Sequence, residues 1–354
     1  MVEGDGPMRK VVFIILITIL VTITIPGVTA GTHSTQYKIV SNGTLSTINI
    51  STTAPWITGA LIDDANNPTM PAASYGGIAN IEYSIIQDPT NDTIVDNWYR
   101  VGDGTHSTTW YATSTNAQVD KWTVYGRLYD IPLDYALPYV IYDSRTKAYY
   151  MFVAGTGGIY LYNSTNKINW SALNSGNPVL KPGTTADTYQ IFNPGVAIVN
   201  ESYWPMLIEG KANGGIFTES YAYSNLTELN WTKHLSSASV INPGSGAGAG
   251  NPWLGYIPSR SSLLVVTGYS STSTWKIGTL HANISSDLTQ SSSWVHNNGD
   301  LIAYSGIHVA DPTVCELSGK DPSIVIGFGY NQNEMFQKSE QLSLVDWYDY
   351  LGAS

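Results

Sequence analysis

Four segments of the chain open with a residue that is followed by proline and then by an apolar stretch. They read LPYVIYDS, NPGVAIVN, NPWLGYIP and DPTVCELS, and they begin at Leu137, Asn193, Asn251 and Asp311. The four prolines are spaced 56, 58 and 60 residues apart. Proline cannot donate a ladder hydrogen bond but is accepted at the first residue of a strand, so the pattern predicts the opening strands of a repeat.

A second apolar segment follows each opening and runs into glycine. These segments are rich in β-branched and aromatic residues and read KAYYMFVAG, SYWPMLIEG, SSLLVVTGY and DPSIVIGFGY, from residues 147, 202, 261 and 321. Turn-forming pairs such as Ser144-Arg145 and Asn200-Glu201 separate the two apolar segments. Each pair of segments therefore predicts a β-hairpin.

Each unit then closes with a polar segment that ends in tryptophan. The five endings are at Trp122, Trp170, Trp231, Trp294 and Trp347. One opening is thus missing before Trp122, and the step Ala54-Pro55 is the candidate, which would place residues 63–83 in an oversized first unit. Turns rich in Ser, Asn and Asp precede each tryptophan and argue against helices of any length.

Five units of about four strands, each of roughly 50 to 60 residues, predict an all-β, five-bladed β-propeller. We expect a single propeller over residues 51–354, with residues 31–50 as an N-terminal arm or closing strand. A β-sandwich is the alternative fold, but it would not require a constant period with matching motifs at both ends.

Residues 1–30 predict a secretory signal peptide. Arg9 and Lys10 precede an apolar run at residues 11–25, and small residues follow up to Ala30. That run is shorter than the ~18 to 20 residues needed to span a membrane, so cleavage is favoured over an anchor. We therefore expect a secreted, extracellular chain that has left the membrane after cleavage. Nine Asn-x-Ser/Thr sequons, which are possible glycosylation sites, occur at Asn42, Asn49, Asn91, Asn163, Asn169, Asn200, Asn225, Asn230 and Asn283.

The charge pattern narrows the class of partner. The formal net charge is −11, and only 12% of the residues are charged. An acidic surface argues against nucleic acid, whose phosphates need Lys and Arg. A chain rich in Ser, Thr, Asn and Tyr suits a neutral, hydrogen-bonding partner such as an oligo- or polysaccharide. The only cysteine, Cys315, excludes an intramolecular disulfide and is expected in the core.

The blade sequences resemble those of the five-bladed glycosidase superfamily, which includes glycoside hydrolase families 43, 32 and 130. The likeness lies in YYMF before a glycine at residues 149–155 and in GIYLYNSTNKINW at residues 158–170, and it covers roughly residues 130–350. The resemblance implies a glycoside hydrolase that requires no cofactor. Its site would lie at the mouth of the central channel and use acidic residues from several blades.

Two carboxylates match motifs of that superfamily. Glu209 in MLIEGKANGG resembles a Tyr-Glu-Gly strand ending, and Asp311 in HVADPTV resembles an Ala-Asp-Pro opening. Ala154 and Thr267 hold the slot of Glu209 in other units, and a lone carboxylate there is costly to bury without a partner. We predict Glu209 as the general acid and Asp311 as the group that sets its pKa or orients the sugar, with Asp134 as a third candidate.

The first unit leaves the catalytic assignment open. The resemblance implies that this unit supplies the base or nucleophile, yet Asp63, Asp64 and Asp103 cannot be ranked. A non-catalytic carbohydrate-binding or cell-surface propeller is therefore the alternative function. A sialidase-like six-bladed enzyme is disfavoured, because its Ser-x-Asp-x-Gly-x-x-Trp turn and arginine triad are not found.

Several residues are candidates for binding substrate or metal. Side chains that offer an aromatic face or a polar group to a sugar are Trp253, Asn193, Asn251, Trp204 and Lys211. His308 resembles a central histidine that helps to hold a channel calcium or water. The run DDANN at residues 63–67 is acidic but lacks the spacing of a known calcium loop. A structural Ca²⁺ is thus a possibility, whereas no His/Cys spacing predicts metal-dependent hydrolysis.

Overall fold

The computed structural model describes residues 33–41, 44–52, 62–63, 79–114, 122–183, 190–211, 217–224, 231–233, 248–270, 274–297, 300–318, 324–331, 334–340 and 342–351. The chain divides into two compact units, Met1–Ala60 and Leu61–Ser354. In the first unit, strands β1 (His33–Ser41) and β2 (Thr44–Thr52) form an antiparallel hairpin. Both the expected signal peptide and the Ala54-Pro55 step lie outside the described residues.

The second unit is a five-bladed β-propeller, as the repeat predicted. Each blade is a four-stranded antiparallel sheet. Blade 1 contains β4 (Ala79–Gln87), β5 (Val95–Gly102), β6 (Ser107–Ser114) and β7 (Thr123–Arg127). Blade 2 contains β8 (Ala136–Asp143), β9 (Ala148–Gly155), β10 (Gly158–Ser164) and β11 (Ser171–Ala172). Blade 3 contains β12 (Gln190–Val196), β13 (Trp204–Lys211), β14 (Phe217–Ser224) and β15 (Thr232–Lys233). Blade 4 contains β16 (Gly248–Ile257), β17 (Ser262–Ser270), β18 (Trp275–Asn283) and β19 (Val295–His296). Blade 5 contains β20 (Val309–Glu316), β21 (Ile324–Tyr330), β22 (Glu334–Glu340) and β3 (Ile62–Asp63).

The ring is closed by a strand from the N-terminal side of the propeller. Strand β3 pairs with β22, with Asp63 opposite Lys338 and Ile62 opposite Ser339. The last blade is therefore completed by residues that precede the first, and the pairing covers the outer edge of β22. Our assignment of Asp63 to the first unit is wrong, because β3 belongs to blade 5, whereas residues 79–83 do lie in blade 1, which β4 opens.

The first strands of the blades, β4, β8, β12, β16 and β20, contact one another around the central channel. Each of these inner strands contains one register irregularity against its neighbour. At each irregularity one residue has a positive φ: Glu82 (56°), Leu137 (60°), Asn193 (40°), Asn251 (59°) and Asp311 (57°). The X-Pro step is thus a bulge inside the strand rather than its first residue. A bulge re-aims its side chain, and all five line a central cavity of about 30 Å³.

The repeated tryptophans pack at the outer strands. Trp122, Trp170, Trp231 and Trp294 are buried, and each immediately precedes the outermost strand of its blade. Trp347 is different, because it lies in the helix α1 (Leu344–Tyr350). The side chain of Ser343 caps this helix by accepting a hydrogen bond from the Asp346 amide. The expectation of no helices therefore fails at this capped segment.

The described part of the chain also contains three short 3-10 helices, at Asn174–Gly176, Pro258–Arg260 and Ser291–Ser293. Cys315 is buried in β20 among apolar side chains of blades 1 and 5, as expected of a core residue. Among the described residues, no helix combines the length and the apolar character that a membrane crossing requires.

Candidate active site

A cavity of about 570 Å³ opens beside the inner strands of blades 1, 2 and 3. Polar side chains from all three blades line it, among them Glu82, Arg100, Asp134, Asn193 and Glu209. Residues 154–158 at the β9–β10 turn also line the cavity. This cavity adjoins the smaller central one, since Glu82 and Asn193 line both. The predicted residues Glu209, Asn193 and Asp134 therefore meet in one depression.

Glu209 is buried in the wall of this cavity, near the end of β13. Its Oε2 accepts a hydrogen bond from Asn193 Nδ2 at 2.8 Å and another from the Asn251 backbone amide at 3.1 Å. Burial raises the pKa of Glu209 to about 7, although the hydrogen bond from Asn193 opposes that rise. A Cβ at Gly250 would lie 2.3 Å from Glu209 Oε2, so glycine at this position leaves room for the carboxyl group.

The first-blade carboxyl group is Glu82, at the bulge of β4. Arg100 Nη1 lies 3.1 Å from each of its two carboxylate oxygens, and Arg100 Nε donates to Ser107 Oγ at 2.9 Å. Burial raises the pKa of Glu82, and the nearby Arg100 charge acts in the opposite direction. Arg100 and Glu82 thus line the same part of the cavity, and the Arg100 charge stabilises the ionised form of Glu82.

Sequence reasoning missed Glu82. It occupies the same bulge as Asp311 but precedes Tyr83 rather than a proline, so a search for X-Pro steps passes over it. Glu82 lies 55 residues before Leu137, close to the spacing of the other openings. Extending the repeat backwards by one period would have found it.

Asp311 lies on the far side of the central cavity, in β20 of blade 5. Two amides connect it to Glu209: Asn193 Nδ2 also donates to Asn251 Oδ1, and Asn251 Nδ2 donates to Asp311 Oδ1. Burial raises the pKa of Asp311 well above its usual range, and the negative charges of Glu82 and Glu209 raise it further. Three carboxyl groups from blades 1, 3 and 5 therefore interact electrostatically around the channel.

Asp134 lies at the rim of the large cavity, with about half of its side chain exposed. Its Oδ2 is 3.1 Å from His106 Nδ1, and its Oδ1 accepts from the Ser107 amide at 3.0 Å. The Ser107 amide and His106 lower the pKa of Asp134. Asp134 is thus an ionised rim group, in contrast to the buried acids below it.

Of the other predicted binding residues, Lys211 lies near the cavity, whereas Trp204 is buried away from it. Lys211 follows Glu209 in β13, and its Nζ lies 4.5 Å from the centre of the Phe217 ring, which lines the cavity beside Phe192. Trp204 is fully buried edge-on against Tyr150 of blade 2. The expectation that it stacks on a sugar is therefore wrong, because it has no accessible face.

Trp253 and His308 line neither cavity. Trp253 is partly buried and packs against the apolar clusters of blades 3 and 5. The ring of His308 lies 5.9 Å from that of Trp275, and burial lowers its pKa. No group of three His, Cys, Asp or Glu side chains with metal-binding geometry occurs in the described part of the chain.

No family model and no curated protein sequence matches this chain. Solved structures do. A β-1,2-mannobiose phosphorylase from Listeria innocua superposes with a TM-score of 0.61 at 10% identity, over 83% of this chain and 100% of that one. A thermostable family-43 glycoside hydrolase has a TM-score of 0.56 at 11% identity, over 76% and 91% of the two chains. An endo-arabinase from Bacteroides thetaiotaomicron has a TM-score of 0.54 at 13% identity, over 77% and 96%.

These structures share their architecture with the present chain. The protein has the five-bladed propeller fold of family-43 and family-130 glycosidases, and the neighbours include both glycoside hydrolases and phosphorylases. The resemblance drawn from the blade sequences is confirmed for the fold. At such low identity it assigns no reaction to this chain.

Proposed function

We propose that the protein is a carbohydrate-active enzyme, a glycoside hydrolase that cleaves O-glycosyl bonds of an oligo- or polysaccharide. One observation carries the proposal: Glu209, with its pKa raised to about 7, and Glu82 line the same cavity. Glycoside cleavage requires two carboxyl groups in different environments, one protonated and one ionised. A general acid is most effective when its pKa lies near the working pH.

In the proposed reaction, protonated Glu209 donates its proton to the glycosidic oxygen as the bond to the sugar breaks. Glu82 acts from blade 1 as base toward water or as nucleophile. Arg100 favours the carboxylate form of Glu82 by opposing the effect of burial. Asp311 supports Asn251, whose backbone amide donates to Glu209. Asp311 therefore acts through another residue and is a positioning residue.

The cavity suits a sugar in size and lining. Its volume of about 570 Å³ is within the ~300 to 1,000 Å³ of small-molecule sites. Phe192 and Phe217 offer apolar faces to a sugar ring, while Gln190 and Asn193 offer amides to its hydroxyl groups. An acidic protein with such a cavity favours a neutral glycan. We also propose that the chain is exported, on the basis of its basic and apolar first 30 residues.

A non-catalytic carbohydrate-binding protein is the second candidate. Arg100 contacts both oxygens of Glu82, and a carboxylate held in this way is less free to attack a sugar or to activate water. Such a protein would use the same cavity to bind a glycan without cleaving it.

The test is turnover by residues 31–354 on aryl glycosides and polysaccharides, with and without inorganic phosphate. Glu209→Gln should lower kcat/KM by about 10² to 10⁴-fold, the usual contribution of a general acid. Glu201→Gln in the exposed β12–β13 turn is the matched control and should have no effect. Turnover that requires phosphate would indicate a phosphorylase. Glycan binding by both proteins without turnover would reject the hydrolase in favour of the binding protein.

A further inference from the structure

A fourth carboxyl group lies beside Glu209 and lines neither cavity. Glu219 in β14 is directly opposite Glu209 of β13 in the antiparallel ladder. Its side chain is fully buried. Opposed residues of antiparallel strands project from the same face of the sheet, so the two carboxyl groups share one face of blade 3.

The hydrogen bonds of Glu219 indicate where its proton is. The Thr267 hydroxyl contacts Glu219 Oε1, and it lies 2.8 Å from the Gly250 carbonyl oxygen. A hydroxyl has one hydrogen to donate. When that hydrogen goes to the Gly250 carbonyl, Thr267 Oγ1 can only accept from Glu219, which must then be the protonated acid. In that arrangement Glu219 Oε1 donates to Thr267 Oγ1, and the Thr267 hydroxyl donates to the Gly250 carbonyl oxygen.

An ionised Glu219 would be poorly stabilised. Its Oε2 has no hydrogen-bond partner within the residues that the structure describes. The groups that face it are Glu209 from β13, Thr267 from β17 and Gly250 from β16, and only Glu209 among them titrates. Burial raises the pKa of Glu219 to about 8 although the hydrogen bond with Thr267 opposes that rise, and the charge of Glu209 contributes to it. A second buried charge without a cation would be costly.

We propose that Glu219 is a positioning residue for Glu209: it stays a neutral carboxylic acid, so that Glu209 alone exchanges its proton near neutral pH. The inference rests on the proposed role of Glu209 as general acid. Glu209 ionises first, because it lies at the cavity and accepts two hydrogen bonds in its charged form. Glu219 releases its proton only in a later step of the same interacting pair.

Carboxyl ¹³C NMR of glutamate-labelled protein measures both protonation steps without any substrate. The wild-type chain should show two glutamates that titrate near 7 and 8. Glu219→Gln should remove the upper titration step and leave the pKa of Glu209 within about half a pH unit of its wild-type value. Glu209→Gln should lower the Glu219 step by about one unit, because the neighbouring charge is gone. The proposal is overturned if Glu219 titrates in the ordinary glutamate range, or if Glu209→Gln leaves the pKa of Glu219 unchanged.

A second readout separates electrostatic from merely structural effects. If the protein is a hydrolase, the alkaline limit of kcat/KM should remain near 7 in Glu219→Gln, since one neutral group replaces another. A downward shift of about one unit would show that Glu219 was charged, and would reject the proposal. Should Glu219→Gln fail to fold, the Glu209→Gln titration decides alone. If both glutamates titrate as expected but no substrate is turned over, the hydrolase is rejected, whereas the interaction between Glu209 and Glu219 still stands.

Discussion

Two groups of buried carboxyl groups lie in different parts of the propeller, one in blade 1 and one in blades 3 and 5, and their hydrogen-bond partners differ. Beyond the end of β4, Asp88 and the buried Asp96 share one cation, with Lys167 Nζ 2.5 Å from Asp88 Oδ2 and 2.9 Å from Asp96 Oδ2. Tyr111 donates to Asp96 Oδ1 at 2.6 Å. This ion cluster joins blade 1 to the loop after β10 of blade 2.

The channel mouth is different. Glu209, Glu219 and Asp311 are buried, and within the described residues only amides and a hydroxyl form hydrogen bonds with them. Burial raises the pKa of each of the three. In the ion cluster the hydrogen bonds of Lys167 and Thr90 outweigh burial and lower the pKa of Asp88, whereas burial still raises the pKa of Asp96 against the hydrogen bonds of Tyr111 and Lys167. The carboxyl groups of the ion cluster are paired with Lys167, and Glu82 is paired with Arg100, whereas Glu209, Glu219 and Asp311 form no ion pair within the described residues. The comparison therefore distinguishes acids that a cation keeps ionised from the buried acids whose pKa lies nearer neutral pH.

The largest expected effect comes from removing the shared cation. Lys167→Met should lower the free energy of unfolding by about 3 to 5 kcal/mol, because two buried carboxylates lose their partner. Chemical denaturation at pH 7 measures the loss. Lys181→Met, at an exposed position, is the control and should change stability by less than about 0.5 kcal/mol. Equal stability of the two variants would show that the ion cluster around Lys167 does not stabilise the fold.

At the channel mouth, removing a charge should stabilise the protein. The folded-state pKa of Glu209 is raised from 4.5 to about 7, so stability is lost as pH rises between these values. Glu209→Gln has no such loss and should gain roughly 3 kcal/mol over the wild type by pH 8, with little difference at pH 4. Denaturation curves across this range test the sign. A constant difference at every pH would show that Glu209 has an ordinary pKa.

The smallest expected effect sharpens the role of the amides. Asn193→Gly removes the side-chain donor to Glu209 and keeps the positive φ of that bulge. The pKa of Glu209 should rise by up to about one unit, which moves the alkaline limit of activity upward. Asn331→Gly is the control, because Asn331 also has a positive φ but is exposed and far along the chain in blade 5. An unchanged limit in Asn193→Gly would mean that the Asn251 amide alone stabilises the carboxylate.

Part of the site could be predicted from the repeat and part could not. Glu209 stands out because equivalent units hold Ala154 and Thr267 at its position. Asp311 stands out because it is an acid at the position that Asn193 holds in another unit. Trp204 fails as a sugar platform and Trp253 lies outside both cavities, because composition alone does not tell which aromatic residue is packed between blades. Glu219 gave no signal, since its neighbours Gly250 and Thr267 come from another blade.

The alternation of apolar segments, turns and X-Pro steps at a nearly constant period was enough to determine the five-bladed architecture, because each repeat is one sheet that must bury its faces against the next. The tertiary structure decided the rest. It placed Ile62–Asp63 in blade 5, brought Glu82 and Asp311 together at the central cavity on adjacent inner strands, and buried Glu209 opposite Glu219. Ring closure and burial depend on contacts between residues far apart in the chain, and it is burial that sets the pKa of an acid.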